Sequence, residues 1–185
     1  MTPRILLLLT ALFMSSTVSA EEFNIQLGQD TARFFYQTEA FGQDFGRLEL
    51  EFGYLYSQDS NSLANLGLLV RGESISLPMI VTIGMRLYYA KLDTYEVGAL
   101  AIGGDLLVSP ESWGGLGIGG FYFNAPGVVS FLDATDLVEY GAYFNFQITE
   151  QARFGLGYKH IEAAIEGAAD IVIDDGGYFS LTLSF

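Results

Sequence analysis

The segment Arg47-Leu-Glu-Leu-Glu-Phe-Gly-Tyr-Leu-Tyr56 alternates between polar and apolar residues. In a β-strand, successive side chains point to opposite faces. One face of this segment would therefore be apolar and aromatic: Leu48, Leu50, Phe52, Tyr54 and Tyr56. The opposite face would carry charges: Arg47, Glu49 and Glu51. No helical period fits the pattern, so the segment predicts a strand that lies between an apolar and a polar environment.

The same two-residue period recurs from Glu21 to Phe185, with turn signals between the periodic segments. These turns divide the chain into ten segments: residues 23–27, 32–39, 47–56, 63–72, 79–91, 95–108, 113–124, 137–148, 152–161 and 177–185. The first hairpin is short, so a count of eight strands stays open. An even count returns both chain ends to one side, as in bacterial outer-membrane barrels. The pattern predicts an all-β protein, an antiparallel transmembrane β-barrel of about ten strands, in one domain over residues 21–185.

Composition agrees with a membrane barrel. Half of the residues are hydrophobic and 15% are aromatic, and the aromatic residues are spread along nearly every segment. After residue 20, no apolar run approaches the roughly 20 residues that a membrane-spanning helix needs. A soluble lipocalin-like barrel is the alternative, and it would place the apolar rows inside. The chain has no cysteine, which excludes disulfides, thiolate metal sites and cysteine nucleophiles.

The first twenty residues have the features of an export signal. Arg4 gives a positive start, residues 5–13 are apolar, and Val18-Ser19-Ala20 places small residues where signal peptidase cuts. We therefore expect residues 1–20 to be a cleaved signal peptide and the mature chain to begin at Glu21.

The last segment, Tyr178-Phe-Ser-Leu-Thr-Leu-Ser-Phe185, alternates strictly and ends on an aromatic residue. It resembles the C-terminal strand of Gram-negative outer-membrane β-barrels. The resemblance implies location in that membrane and recognition by the barrel-assembly machinery. The residues of the expected assembly signal are Tyr178, Leu181, Leu183 and Phe185.

Four further stretches resemble the YfaZ family of small bacterial proteins with signal peptides. They are Asp105-Leu-Leu-Val-Ser-Pro-Glu111, Gly119-Gly-Phe-Tyr-Phe-Asn-Ala-Pro126, Phe131-Leu-Asp-Ala134 and Arg153-Phe-Gly-Leu-Gly-Tyr-Lys159. The resemblance implies an outer-membrane protein of the kind labelled porin-like. It implies no catalytic or cofactor-binding residues, and no cofactor is expected.

Charged residues on the polar faces of the strands are the candidate lumen lining. They are Arg47, Glu49, Glu51, Arg71, Arg86, Glu139, Arg153 and Lys159. Buried charges need partners because their desolvation is costly, and we expect Glu49 to face Arg71 and Arg86 to join Glu51. Two functions fit such a lumen. It is either a charged constriction in a small porin-like channel, or an interior plug in a structural or surface-interaction barrel.

Glycines alternate along Trp113-Gly-Gly-Leu-Gly-Ile-Gly-Gly120, where they would leave room inside the wall for rings such as Tyr88 or Tyr143. No Lys-Ser or Lys-Thr follows, which argues against a phosphate-binding loop.

His160 is the sole histidine and falls on the lipid-facing row near the outer rim, with Glu162 on the same side. An amphipathic ring suits that interface. The alternative is a lipid-acting enzyme in which Ser57, Ser60 or Ser130 approaches His160. We expect no enzymatic activity.

The net charge is −14, and acids gather in the segments predicted to face outward: residues 57–62, 91–95, 124–136 and 162–176. This charge argues against nucleic-acid binding. It favours lipid and lipopolysaccharide as partners, bridged by divalent cations. Asp170, Asp174 and Asp175 lack the spacing of a calcium loop, so no metal site is expected. Residues 162–169 also have the composition of a short helix.

Overall fold

The computed structural model describes residues 21–43, 46–58, 61–74 and 77–185, so the predicted signal peptide lies outside the described part. It contains eleven strands: β1 (Glu21–Leu27), β2 (Thr31–Gln43), β3 (Gly46–Ser57), β4 (Ser62–Glu73), β5 (Met79–Lys91), β6 (Glu96–Val108), β7 (Leu116–Ala125), β8 (Ser130–Leu132), β9 (Ala134–Thr149), β10 (Ala152–Ile165) and β11 (Ile171–Ser184). Two single 3₁₀ turns, Glu111–Trp113 and Gly127–Val129, flank β7.

Ten of these strands close into an antiparallel barrel. Neighbours in the wall follow the chain order, apart from the three-residue strand β8, which pairs only with β6 among the described strands. β1 completes the ring by pairing with β11, for example Phe23 with Leu183. The amide of Phe185 also donates to the carbonyl of Glu21 at 2.9 Å, so the two ends of the barrel domain meet. The prediction of a ten-stranded barrel is confirmed.

The outer wall is apolar. Side chains that point away from the lumen are well exposed, including Ile83 at 60%, Ile102 at 66% and Phe144 at 55%. A water-soluble barrel keeps such rows inside, whereas a membrane barrel turns them toward lipid. The lipocalin-like alternative is therefore wrong, and this is a membrane-spanning type of barrel. Among the described residues, no helix has the length and apolar character needed to cross a membrane.

Exposed aromatic residues lie around that wall, and the tyrosines among them form a belt. The exposed tyrosines lie toward the end of the barrel that carries β8: Tyr54, Tyr56, Tyr89, Tyr122, Tyr140 and Tyr158. Five exposed phenylalanines lie in the half of the barrel where the two termini meet: Phe41, Phe144, Phe146, Phe154 and Phe185. The other exposed phenylalanines lie nearer the middle of the wall or the β8 end: Phe34, Phe52, Phe131 and Phe179. Aromatic rings favour membrane–water interfaces, so the tyrosine belt marks one end of the membrane span.

Several boundaries differ from the sequence predictions. β10 runs to Ile165 and β11 begins at Ile171, so the outer loop predicted at 162–176 is limited to residues 166–170. The helix considered for residues 162–169 is wrong, because Ala163 and Ile165 continue the inward-facing alternation of β10. β7 starts at Leu116 rather than residue 113, because the chain first makes a 3₁₀ turn and Gly114 adopts a φ of 60°.

Candidate functional site

The lumen is closed by apolar side chains near the β8 end. We call this set the apolar plug, and each member has 0% exposed surface: Leu55, Leu63, Ala90, Val97, Ala99, Leu137, Ile161 and Ala163. Its residues project from β3, β4, β5, β6, β9 and β10. Burying them in one cluster is favourable in the same way as forming a soluble core. The sequence prediction of a polar lumen therefore fails for this half of the barrel.

Beneath the plug lies a layer of paired charges, which we call the charged layer: Arg33, Glu51, Arg86 and Glu139. Arg33 Nη1 lies 2.5 Å from Glu139 Oε1, and both side chains are 1% exposed. Arg86 Nε lies 2.8 Å from Glu51 Oε1, which confirms the predicted pairing. Arg86 Nη1 also approaches Glu139 Oε2 at 3.5 Å, so the four charges form one network.

Neutral groups complete this network. Asn65 Nδ2 donates to Glu51 Oε1 at 2.7 Å, and Gln37 Nε2 donates to Glu51 Oε2 at 3.0 Å. The Tyr88 hydroxyl donates to Glu139. Two guanidinium groups also lie over rings, Arg33 at 4.3 Å from the centre of Phe35 and Arg86 at 3.9 Å from that of Phe123. These contacts offset the desolvation of four buried charges, which would otherwise be prohibitive.

Below the charged layer the lumen widens into a cavity of about 190 Å³, which we call the vestibule. Its lining includes residues from the end where the termini meet, such as Glu22, Arg71 and Arg153, and none of the plug residues. Four arginines and five carboxylates face it among the described residues: Arg33, Arg71, Arg86, Arg153, Glu22, Glu49, Glu51, Asp105 and Glu139. The vestibule is therefore a blind cavity lined by many charges and also by apolar side chains such as Phe35 and Leu69.

Ion pairs near the vestibule mouth are more exposed than those of the charged layer, and two of the three are long. Arg71 Nη1 lies 3.8 Å from Glu49 Oε1 and 3.9 Å from Glu22 Oε2, while Arg153 Nη2 lies 2.7 Å from Glu22 Oε1. The predicted Glu49–Arg71 approach is thus a long contact. In the β3–β4 register Arg71 pairs with Arg47, and Glu49 pairs with Leu69, so the two groups meet only diagonally.

Two predicted lumen residues are absent from the vestibule lining. Arg47 is 40% exposed and pairs with Glu73 at 2.5 Å, which places it on the rim. Lys159 is buried beside Asp174, with Nζ 2.8 Å from Oδ2. It therefore joins β10 to β11 and does not face the cavity. Both were assigned correctly to the inner face, but the alternation does not tell how deep a residue lies.

Glycines hold three aromatic rings against the vestibule wall. A Cβ atom on Gly119 would lie 2.3 Å from Tyr143 Cζ, one on Gly141 would lie 2.6 Å from Phe121 Cζ, and one on Gly157 would lie 2.5 Å from Tyr178 Cζ. The prediction that glycines of residues 113–120 make room for Tyr143 is confirmed. Tyr88 lies elsewhere, between Asn65 and Ala99 in the β-sheet register.

Sequence reasoning missed several residues of the site, above all Arg33 and Asp105. Arg33 belongs to Thr31-Ala-Arg-Phe-Phe-Tyr36, where aromatic residues occupy both faces and hide the alternation. Counting in twos from Thr31 places Arg33 and Phe35 inward, and this was the available signal. Asp105 lies between Gly104 and Leu106, in a segment that is otherwise apolar or glycine.

His160 lies outside the lumen, on the lipid-facing row where it was predicted. Its ring stacks on Tyr140 with the ring centres 5.0 Å apart. Nε2 lies 3.3 Å from Glu162 Oε2, and Nδ1 lies 3.6 Å from Asp175 Oδ1. Within the described residues, no group of three His, Asp or Glu side chains is arranged to hold a metal ion.

The C-terminal strand has two faces. Tyr178 points into the lumen and is 5% exposed, whereas Phe185 lies outside and is 66% exposed. In the folded barrel the four residues of the expected assembly signal therefore do not share one surface.

Comparison with solved structures gave distant likenesses. A chain from "Unveiling the Mechanism Behind the in-meso Crystallization of Membrane Proteins" is 14% identical, with 90% of this chain and 83% of that chain covered and a TM-score of 0.48. A bacterial polysaccharide outer membrane secretin is 11% identical over 86% of this chain and 57% of its own, with a TM-score of 0.45. The Acinetobacter baumannii outer membrane protein Omp33 is 10% identical over 90% and 97%, with a TM-score of 0.36. With every TM-score below 0.5, none of these likenesses assigns an activity to this chain.

The comparison with curated proteins gave no match. The family described as YfaZ precursor matches residues 3–185, which is nearly the whole chain. The chain therefore belongs to the YfaZ family, as the four stretches between Asp105 and Lys159 predicted.

Proposed function

We propose that this member of the YfaZ family is a non-conducting outer-membrane barrel of a Gram-negative bacterium, with its vestibule open to the periplasm. The apolar plug is the observation that carries the proposal. Barrels of this membrane keep their chain ends and short turns on the periplasmic side. The vestibule opens at that end, and the plug lies at the opposite end.

A solute pathway needs continuous polar or water-filled space through the barrel. Plug residues such as Leu55, Leu137 and Ile161 have no exposed surface, and moving them apart would expose apolar area to water. The plug therefore favours a barrel that holds or binds material at its periplasmic end over one that passes it through.

A small porin-like channel is the second candidate. The charged layer favours it, because rings of opposed charges form selective constrictions in pores. In that case Arg33 and Arg86 would select solutes, and the plug would have to move aside as a gate.

Single-channel recording in a planar bilayer separates the two candidates. The mature chain is refolded, and its folding is checked by a heat-dependent gel shift. We expect silence from the wild-type protein, and discrete openings from a variant with a polar plug, Leu137→Ser combined with Ile161→Ser. Val128→Ser is the matched control, because Val128 is 92% exposed outside the plug and should leave the barrel silent.

Discrete steps from the folded wild-type protein would contradict the non-conducting proposal. If Arg86→Gln then changed the ion selectivity of those steps, the charged layer would be the filter of a channel.

For the exterior we propose an interfacial role rather than catalysis. The tyrosine belt would lie at the outer membrane surface, and the acids beyond it, such as Asp93, Asp133 and Glu166, would meet lipopolysaccharide through divalent cations. The stacking of His160 on Tyr140 supports a place in this belt. His160→Ala should leave membrane lipid composition and the results of hydrolytic assays unchanged. Loss of a hydrolytic activity in this variant would contradict the interfacial role.

A further inference from the structure

Asp105 is a vestibule carboxylate with no cationic side chain at ion-pair distance among the described residues. Glu139 pairs with Arg33, Glu51 with Arg86, Glu22 with Arg153, and Glu49 contacts Arg71. Asp105 forms no ion pair with any described residue and accepts hydrogen bonds only from the Tyr143 hydroxyl, at 2.8 and 3.0 Å. The lining has five carboxylates and four arginines, and Asp105 is the carboxylate that is left without an ion pair to a described residue.

Two aromatic rings flank this carboxylate. Phe121 is the direct cross-strand partner of Asp105 between β6 and β7, and Tyr143 binds it from β9. Both rings line the vestibule. Tyr178 lines it as well, but Lys159 Nζ already lies 5.3 Å from the centre of that ring.

Two glycines of the wall leave the space that the two rings occupy, and so keep the cavity open. The Phe121 ring lies against Gly141 and the Tyr143 ring against Gly119, so closely that a Cβ at either glycine would overlap the ring. Each ring therefore lies against the wall and also contributes to the vestibule lining, and Phe121 packs in addition against the buried apolar cluster that contains the plug. A residue larger than glycine would push the rings into the lumen and fill the vestibule.

We infer that the vestibule binds a small organic cation of the methylated-ammonium class, with Asp105 as counter-charge and Phe121 and Tyr143 as aromatic walls. Such cations bind where aromatic faces and a carboxylate meet, because the ring quadrupole and the negative charge both attract them. A cavity of about 190 Å³ has room for a choline-sized molecule. This inference rests on the proposed blind vestibule, which keeps the site accessible from one side.

Calorimetric titration of the refolded barrel with choline chloride tests the inference. The protein is held in a maltoside detergent, which carries no ammonium group. We expect saturable binding with a Kd of about 1 mM or below. The probe for the charge is 3,3-dimethylbutan-1-ol, which has the shape of choline without its charge and should not bind.

Asp105→Asn should weaken choline binding roughly tenfold, because it removes the charge and keeps an oxygen acceptor for Tyr143. Phe121→Leu should weaken it several-fold while leaving every charge in place, so a folding failure of one variant does not end the test. Asp133→Asn is the control, since this acid lies outside the vestibule, and its binding should equal that of the wild type.

A methylated ammonium group occurs both on small solutes and on the headgroups of choline lipids. Titrations in two kinds of bilayer distinguish these two sources. Titration in phosphatidylglycerol nanodiscs should give the full choline signal. Loss of that signal in phosphatidylcholine nanodiscs would assign the site to lipid headgroups, and its retention would assign it to a free solute.

Absence of saturable choline binding by the folded barrel would overturn the inference, as would equal binding by Asp105→Asn or by the uncharged alcohol. These results are independent of conductance. A silent barrel that does not bind choline keeps the proposed function and loses the site, whereas a conducting barrel contradicts the proposed function itself.

Discussion

Arg33 and Glu139 join opposite parts of the barrel wall through a buried ion pair with a distance of 2.5 Å. Arg33 is on β2 and Glu139 on β9, with β1, β11 and β10 between them in the sheet. The pair therefore crosses the lumen and holds the wall together where no backbone hydrogen bond reaches.

Breaking this pair should be costly. Glu139→Gln leaves Arg33 as an uncompensated buried cation, and we expect a loss of about 3–5 kcal/mol in the free energy of unfolding. Urea unfolding of the barrel in detergent, followed by the heat-dependent gel shift, measures it. Glu73→Gln is the matched control, because its partner Arg47 is 40% exposed and exposed pairs contribute less than about 1 kcal/mol. Equal losses for both variants would show that the charged layer contributes no more to the free energy of unfolding than an exposed ion pair does.

Two leucines of β4 test the apolar plug. Leu63 is 0% exposed inside the plug, and Leu66 is 45% exposed on the outer wall. Leu63→Ala should cost about 2–5 kcal/mol because it leaves a cavity. Leu66→Ala should cost less, since lipid or detergent fills the space that the side chain leaves. A larger loss for Leu66→Ala in the same unfolding experiment would contradict a packed plug.

The ring cradle formed by Gly119 and Tyr143 predicts a position-dependent effect of alanine. Gly119→Ala should destabilise the barrel by about 1–3 kcal/mol, because the new methyl group overlaps the ring. Gly176→Ala should have little effect, since nothing lies within 4 Å of the Cβ position there. In a double-mutant cycle, Tyr143→Ala should remove most of the penalty at Gly119. Additive losses would mean that the ring and the glycine do not interact.

The cost of placing a charge on the outer wall should depend on how deep in the membrane the charge lies. Leu156 is 53% exposed and pairs with Phe144 in the apolar face of β10 and β9. Leu156→Arg should cost about 2–4 kcal/mol in a lipid bilayer, as expected for an arginine placed near the bilayer midplane. Val128→Arg should be nearly neutral, because Val128 lies in a turn at the β8 end. Tolerance of both substitutions in lipid vesicles would contradict the orientation of the outer wall.

Phe185 should matter for assembly more than for stability. Its ring is 66% exposed in the folded barrel, so Phe185→Ala removes little packing. We expect less of the variant protein in the outer membrane of producing cells, while purified, refolded variant and wild-type proteins unfold at similar urea concentrations. Normal membrane levels in cells would exclude this residue from the assembly signal.

Prediction from sequence succeeded where the two faces of a strand differ in polarity. Glu49 and Glu51 on β3 and Val138 and Tyr140 on β9 were placed on the correct faces for this reason. It failed where apolar residues occupy the inner face, as at Leu55 and at Ala163 and Ile165 in the extension of β10. A plug facing the lumen and a wall facing lipid use the same residue types, so composition does not separate them.

Contacts between residues far apart in the chain could not be predicted from the sequence either. The Arg33–Glu139 pair joins residues 106 positions apart, and which strands face each other across the lumen depends on the stagger of the whole ring. Arg86 and Glu51 were paired correctly although β4 lies between their strands, because only Gly67, which has no side chain, separates them in the register of β3, β4 and β5.

The short strand β8 leaves a stretch of the barrel wall with few backbone hydrogen bonds. β6 hydrogen-bonds to β7 only from Ile102 onward and to β8 only over Val97, Gly98 and Ala99. At this end of the barrel β6 is thus hydrogen-bonded on that side only to the three residues of β8, and β8 itself pairs with no other described strand. The Phe131 ring of β8 rests on Gly98 of β6. Backbone amides along this seam should exchange with deuterium before the rest of the wall. If the barrel ever opens sideways toward lipid, this seam is where the opening begins.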